Sequence, residues 1–240
     1  SRLLPMKPYG GGRIAVKYSV SNATMTYASI ARGYKAGGFN TDGTLDADLR
    51  QFDEEFLIEY ELGVKSRLLE DRLHLKAAVF HDDRRDQHVK SSTGRIRENG
   101  STEFIDYIGN AATGTNNGVE FEAVWYPTDS LSLTSNFGLL DATFDSFINS
   151  ENQDLAGRDQ AHAPRYMAHV AARYSNGPWS ASVSIDAKDA FYFSDSHDIQ
   201  SQAYETLNTN LSYSGGNWRL SLWGRNLTDQ DYAVRGFFFG

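Results

Sequence analysis

The 240-residue chain has no cysteine. That excludes a disulfide framework, a thiolate metal site and a thiol nucleophile. Proline is scarce, at five residues, and no Pro-rich linker divides the chain. No apolar run exceeds four residues (77–80 and 123–126), so no helix of about 20 apolar residues spans a membrane. Basic residues are outnumbered 23 to 31, giving a formal charge of -8, which argues against a nucleic-acid partner with its need for a basic face. Aromatics are not scarce: they make up 13 % of the chain, against a mean hydropathy of -0.50. Disordered chains are poor in aromatics, so an ordered fold is expected.

The pattern that is present has period two. Leu73, Leu75, Ala77 and Val79 alternate with His74, Lys76 and Ala78. Val119, Phe121, Ala123 and Trp125 alternate with Glu120 and Glu122, and the same rhythm runs through residues 131–137 and 218–225. Such alternation marks strands with two unlike faces. Short polar links fall at Ser21-Asn22, Glu70-Asp71, 127–130, 175–178 and 214–217, and long ones near 35–53, 88–101, 145–162 and 193–202. About ten or eleven antiparallel strands are expected in one all-β domain, with residues 102–126 forming one very long strand kinked near Gly114 or Gly118.

Two architectures share this pattern: a soluble sandwich or barrel, and a transmembrane β-barrel whose apolar face meets lipid. The link asymmetry favours the membrane version. So does the placing of aromatics near strand ends (Tyr18, Tyr27, Tyr60, Trp125, Tyr126, Tyr174, Trp179, Tyr192, Tyr213, Trp218), as in an interfacial girdle.

Several stretches, in order, resemble the TonB-dependent outer-membrane receptors. They are residues 27–40, with Arg32-Gly33-Tyr34 and Gly37-Gly38-Phe39-Asn40; 60–66; Asn110-Ala111-Ala112-Thr113-Gly114 leading to Gly118-Val119-Glu120; Ala163-Pro164-Arg165-Tyr166; and Asn226-Leu227-Thr228-Asp229 to Tyr232. The resemblance implies a 22-stranded barrel of which residues 1–240 are the C-terminal half. It implies as well that the plug domain, the first half of the barrel and the final strand lie outside these residues. It further implies TonB-dependent import of a scarce nutrient such as a ferric siderophore, in the outer membrane of a Gram-negative bacterium. The partners it implies are outer-membrane lipid, TonB through the plug, and an extracellular small-molecule cargo, with a monomer at full length. Gly33, Asn110, Gly118, Glu120 and Asn226 are the family-motif residues, expected to be structural. A passive porin, an adhesin barrel and a soluble carbohydrate-binding β-protein remain alternatives on the pattern alone.

Chemical constellations are sparse. None of the six histidines is spaced for a metal, and no catalytic residue or cofactor is expected. Asp195-Ser196-His197-Asp198 crowds triad residue types into one loop, where convergence from a rigid scaffold is missing. Asp42, Asp46, Asp48, Asp53, Glu54 and Glu55 make the first long loop acidic and read as a solvated surface. The second carries Arg84, Arg85, Lys90, Arg95 and Arg97, which would suit an anionic cargo or the anionic surface of lipopolysaccharide. Arg84, Arg85, Arg95 and Arg97, with Tyr34 and Phe39 as aromatic surface, are the candidate cargo contacts.

Overall fold

A computed structural model describes residues 10–236. Among these residues there are twelve strands: β1 (Gly12–Ser19), β2 (Thr24–Lys35), β3 (Gly38–Phe39), β4 (Gln51–Phe52), β5 (Glu55–Leu68), β6 (Leu73–Ile96), β7 (Thr102–Thr128), β8 (Leu131–Phe147), β9 (Tyr166–Asn176), β10 (Trp179–Lys188), β11 (Tyr204–Gly215) and β12 (Trp218–Gly224). Ten of them form one antiparallel sheet in chain order, β1-β2-β5-β6-β7-β8-β9-β10-β11-β12, while β3 and β4 pair alone inside the first long link. Every connection in the large sheet joins neighbours, as in an up-and-down barrel wall.

The registers sort the side chains. Ile14, Ile30, Tyr60 and His81 lie in one cross-strand row, and Val16, Ala28, Leu62, Val79, Val119 and Leu139 in another. These residues share one face, which continues through Val170, Ile185, Leu207, Leu211 and Leu222. It is apolar, yet Ile14, Leu62 and Leu222 are all more than half exposed. A soluble sheet would bury such a face; here it is the outer one, suited to lipid. At the short-turn end it closes with Tyr18, Trp125, Tyr174, Trp179, Tyr213 and Trp218, the last three in ring contact. Three expected girdle members lie elsewhere: Tyr27 faces the opposite side and donates to Glu61, Tyr126 lies against the inward His74, and Tyr192 sits in a long loop. At the other end the outer face turns polar at His81, Asp83, Arg85, Asn117 and Asp141, where the apolar band stops.

The opposite, inner face carries Lys76 bonded to Glu122 at 2.7 Å, Arg13 to Glu61 at 3.3 Å, and His169 to Asp186 at 2.7 Å. Two of its aromatics, Tyr27 and Phe80, lie over glycines of the facing strand, Gly63 and Gly118. Gly118 stands directly opposite Phe80; a Cβ on Gly118 would come within 2.1 Å of the Phe80 ring. Close approach, not a kink, is what this glycine serves. Gly118→Val is therefore expected to cost about 1–3 kcal/mol through overpacking. Adding Phe80→Ala should recover part of that loss, as read from urea unfolding of the full-length protein in lipid vesicles.

The link expected near 88–101 is mostly strand: β6 runs to Ile96 and β7 starts at Thr102, leaving a five-residue tip on a long hairpin. Polarity there marks a hairpin standing clear of the apolar band, not a loop. The long strand β7 is irregular at Thr113/Gly114 against β8, and β6 is irregular at Arg84/Gln87, where Asp86 takes a left-handed φ of 53°. The buried core is small and lies above the band. Val89, Ala112, Phe144 and Phe147 form it, with Ala111 and Leu155 packed against them. The Phe144 and Phe147 rings are 4.8 Å apart.

Candidate functional site

Residues three apart on a regular strand point to opposite faces. The irregularity in β6 overrides this for Arg84 and Gln87, which stand opposite Gly114 and Ala112, both on the inner face. The same device in β8 turns Phe144 and Phe147 inward, opposite Gly114 and Ala112. Above the apolar band, the inner wall thus gains a core and a polar belt on adjoining strands.

The belt begins on β2. Lys35 Nζ donates to Glu55 Oε2 at 2.8 Å, and Arg84 donates to Glu55 Oε1 through Nη2 at 2.5 Å and Nε at 3.2 Å. The His88 amide donates to Glu55 Oε2 at 3.0 Å. Arg84 then reaches Gln160 Oε1 at 2.8 Å, an oxygen that also accepts from Gln87 Nε2 at 3.2 Å. Gln160 Nε2 donates to Asn116 Oδ1 and to the Thr143 carbonyl, both at 3.0 Å. The Gln160 amide is buried and its oxygen and nitrogen are both satisfied, as a buried amide requires. Gly114 makes room for it: a Cβ there would lie 2.8 Å from Gln160 Nε2.

The chain from 148 to 165 reaches this wall by folding back along β8. Gly157 and Arg158 exchange backbone bonds with Phe144, and Gln160 bonds to the Ala142 carbonyl. Thr143 bridges to Asp159, so Arg158 and Gln160 both turn inward while Asp159 turns outward, where Arg165 binds it at 3.2 Å. Arg158 holds the next loop. Its guanidinium donates to the Asp198 carboxylate and the His197 carbonyl and lies 3.9 Å over the Tyr192 ring. The Ala161 amide donates to Asp195 and the His162 amide to the Tyr192 carbonyl. Asp195, His197 and Asp198 therefore serve loop structure and do not converge as a triad.

Two asparagines clamp the first long link. Asn40 donates to the Leu49 and Ile108 carbonyls and accepts from the Ile108 amide. Asn110 accepts from the Asp53 amide at 2.6 Å and donates to the Asp53 and Asp86 carbonyls. Within that link Asp42 accepts from both the side chain and the amide of Thr44, which holds its carboxyl below the usual range.

The sequence candidates scatter. Arg84 joins the belt; Arg85 points outward and pairs with Asp83 at 3.0 Å. Arg97 pairs with Glu103 at 2.6 Å at the hairpin tip, with Arg95 opposite Glu103 in the register. Tyr34 lies on the outer face, and Phe39 is exposed in β3. These six do not form one surface. Gly33 is in β2 with open space beside it, and Glu120 projects inward with Glu122. Asn226, at a left-handed φ of 48°, donates to the Gln230 carbonyl and accepts from the Gln230 amide and the Thr228 hydroxyl. Sequence reasoning missed the roles of Glu55, Gln160 and Arg158. Glu55 does share its parity with Glu59 and Glu61, a signal that places all three on the inner face.

Arranged this way, the wall can offer hydrogen bonds and charge to a polar solute at one end of a lipid-facing sheet. Known proteins share the fold. The pesticin receptor of Yersinia pestis is 24 % identical over 95 % of this chain, and that of Yersinia enterocolitica matches equally. The crystal structure of the ferric yersiniabactin uptake receptor FyuA from Yersinia pestis superposes with a TM-score of 0.78 at 22 % identity over 95 % of the chain. That of the siderophore receptor PiuA from Acinetobacter baumannii does so at 0.71, with 17 % identity over 92 %. The chain spans about a third of the length of each of these relatives, from 32 % to 33 %. The family described as TonB dependent receptor-like, beta-barrel matches residues 10–227. A sheet with its apolar face outward and a polar inner wall is the wall of an outer-membrane barrel of a Gram-negative bacterium, and the chain belongs to the TonB-dependent receptor-like β-barrel family.

Proposed function

We propose that this chain is the C-terminal half of the barrel of a TonB-dependent importer, and that the whole protein carries a small extracellular solute such as a ferric siderophore across the outer membrane. The polar belt from Lys35 through Glu55 and Arg84 to Gln160, with the 189–203 loop tied to the adjoining 148–165 segment through Arg158 and Ala161, is the observation that carries the reading. A passive pore has no need of loops tied to its inner wall through Gln160 and Arg158. The relatives are a pesticin receptor, a ferric yersiniabactin uptake receptor and a siderophore receptor, which supports iron as the nutrient. Transport makes and breaks no covalent bonds, so the residues act by binding and positioning. The partners are lipid on the outer face, a plug domain on the inner one, TonB through that plug, and the cargo; the full-length protein acts as a monomer.

The test is uptake of radioactive iron by iron-starved cells that express the full-length gene, with and without functional TonB. Uptake that needs both the gene and TonB is expected. TonB-independent uptake, or steady ion conductance of the purified full-length protein in planar bilayers, would sink the proposal in favour of a passive porin.

A further inference from the structure

The belt and the segment that adjoins it carry two inward guanidinium groups whose counter-ions differ in kind. Arg84 faces Glu55, whose side chain is 5 % exposed and tied by four donated bonds from three residues. That pair is locked. Arg158 is as secluded, with a side chain 10 % exposed, but its carboxylate partner Asp198 is 91 % exposed. Such a carboxylate is solvated and can leave at little cost, whereas the guanidinium cannot follow it.

Arg158 is also short of acceptors. A guanidinium carries five N–H donors in a planar fork. Here Asp198 engages it through one oxygen only, the His197 carbonyl takes a second position, and the buried Nε has no partner among the described residues. The Tyr192 ring beneath holds the fork in place by cation–π contact. Gly157, Arg158 and Gln160 are bonded to the β8 backbone, so the fork is anchored to the wall.

We infer that Arg158 is a recognition site for a carboxylate group of the cargo, and that Asp198 is an internal occupant which the cargo displaces. An incoming carboxylate that uses both oxygens satisfies more of the fork than Asp198 does, which is the source of the preference. Exchange also frees the 189–203 loop at Asp198, while the Ala161–Asp195 and His162–Tyr192 bonds keep its base on the 148–165 segment. The exchange thereby links cargo arrival to movement of one loop. The inference rests on the import reading and adds to it the chemical class of the group that is recognised.

The test uses the full-length receptor in detergent, with citrate as the carboxylate probe and inorganic phosphate as the contrast, by isothermal titration. Asp198→Asn removes the competing charge and is expected to tighten citrate binding about tenfold over wild type, the size of one charge-assisted hydrogen bond. The double change Asp198→Asn with Arg158→Gln should lose that gain, and Arg158→Lys, which keeps charge without the fork, should recover only part of it. Unaltered melting of each variant guards against a folding artefact. No gain in citrate affinity for Asp198→Asn, a gain that survives Arg158→Gln, or phosphate bound in preference to citrate would each overturn the assignment. TonB-dependent iron uptake measured in parallel separates the two proposals. If uptake persists while the titrations fail, import stands and this site falls.

Discussion

Leu62→Arg is expected to destabilise the full-length protein in lipid vesicles by roughly 2–4 kcal/mol, and Leu68→Arg, six residues along the same face, by only about 0–1 kcal/mol. Both residues project from β5 on the outer face. Leu62 sits between Ala28 and Val79 in the middle of the apolar band; Leu68 pairs with Leu73 at the short-turn end, level with Trp125. The cost of a guanidinium in hydrocarbon falls with distance from the midplane, because a side chain near the boundary can reach water. The depth series separates the membrane wall from a soluble sheet. Leu62 is 57 % exposed, and if its face met water the arginine would cost no more than about 0.5 kcal/mol, as at any open surface. Urea unfolding and refolding midpoints of the two variants give the comparison; equal, small changes at both positions would remove the lipid-facing assignment.

That face was open to sequence reading because nothing interrupts the alternation between Leu73 and Val79 or between Val119 and Trp125. A period of two survives in the sequence wherever a strand is regular. The belt was closed to the same reading for a related reason. Arg84 and Gln87 share a face only because the strand slips between them, and Phe144 and Phe147 share theirs by the same device. By strict alternation, each pair would be split across the sheet. Arg158 and Gln160 reach the wall through a fold-back pairing of Asp159 with Thr143, a contact between segments with no alternating pattern of their own. The cluster of arginines in residues 84–97 was visible in the sequence, but facing and register divide it: Arg84 goes inward, Arg85 outward, and Arg97 to the hairpin tip. Charge density along a chain becomes a charged patch only in a loop, and here most of the stretch is strand.

Glu55→Ala should be the most damaging single change in the belt, at roughly 3–5 kcal/mol, because it strands a secluded guanidinium. Arg84 would lose both of its bonds to Glu55 and keep only Gln160, while the His88 amide and Lys35 would lose their acceptor. Glu55→Gln paired with Arg84→Met removes both charges at similar volume and is expected to recover most of the loss, since an uncharged pair carries no desolvation penalty. Glu55 lies beyond the outer apolar band, one residue past Phe56, the partner of Arg85, so water and pH reach it. Burial alone would push its carboxyl up; the bonds from Lys35, Arg84 and the His88 amide outweigh that and bring it from 4.5 to about 2. A depressed carboxyl stabilises the fold above its unfolded value, and the contribution disappears as the folded group takes its proton. The advantage of wild type over the Glu55→Gln, Arg84→Met pair should therefore hold near neutral pH and shrink between about pH 4.5 and 2. The measurement is the urea midpoint of both proteins across that range. A gap that stays constant with pH would show that the belt is held by packing and neutral hydrogen bonds, with the Glu55–Arg84 charges making no net contribution.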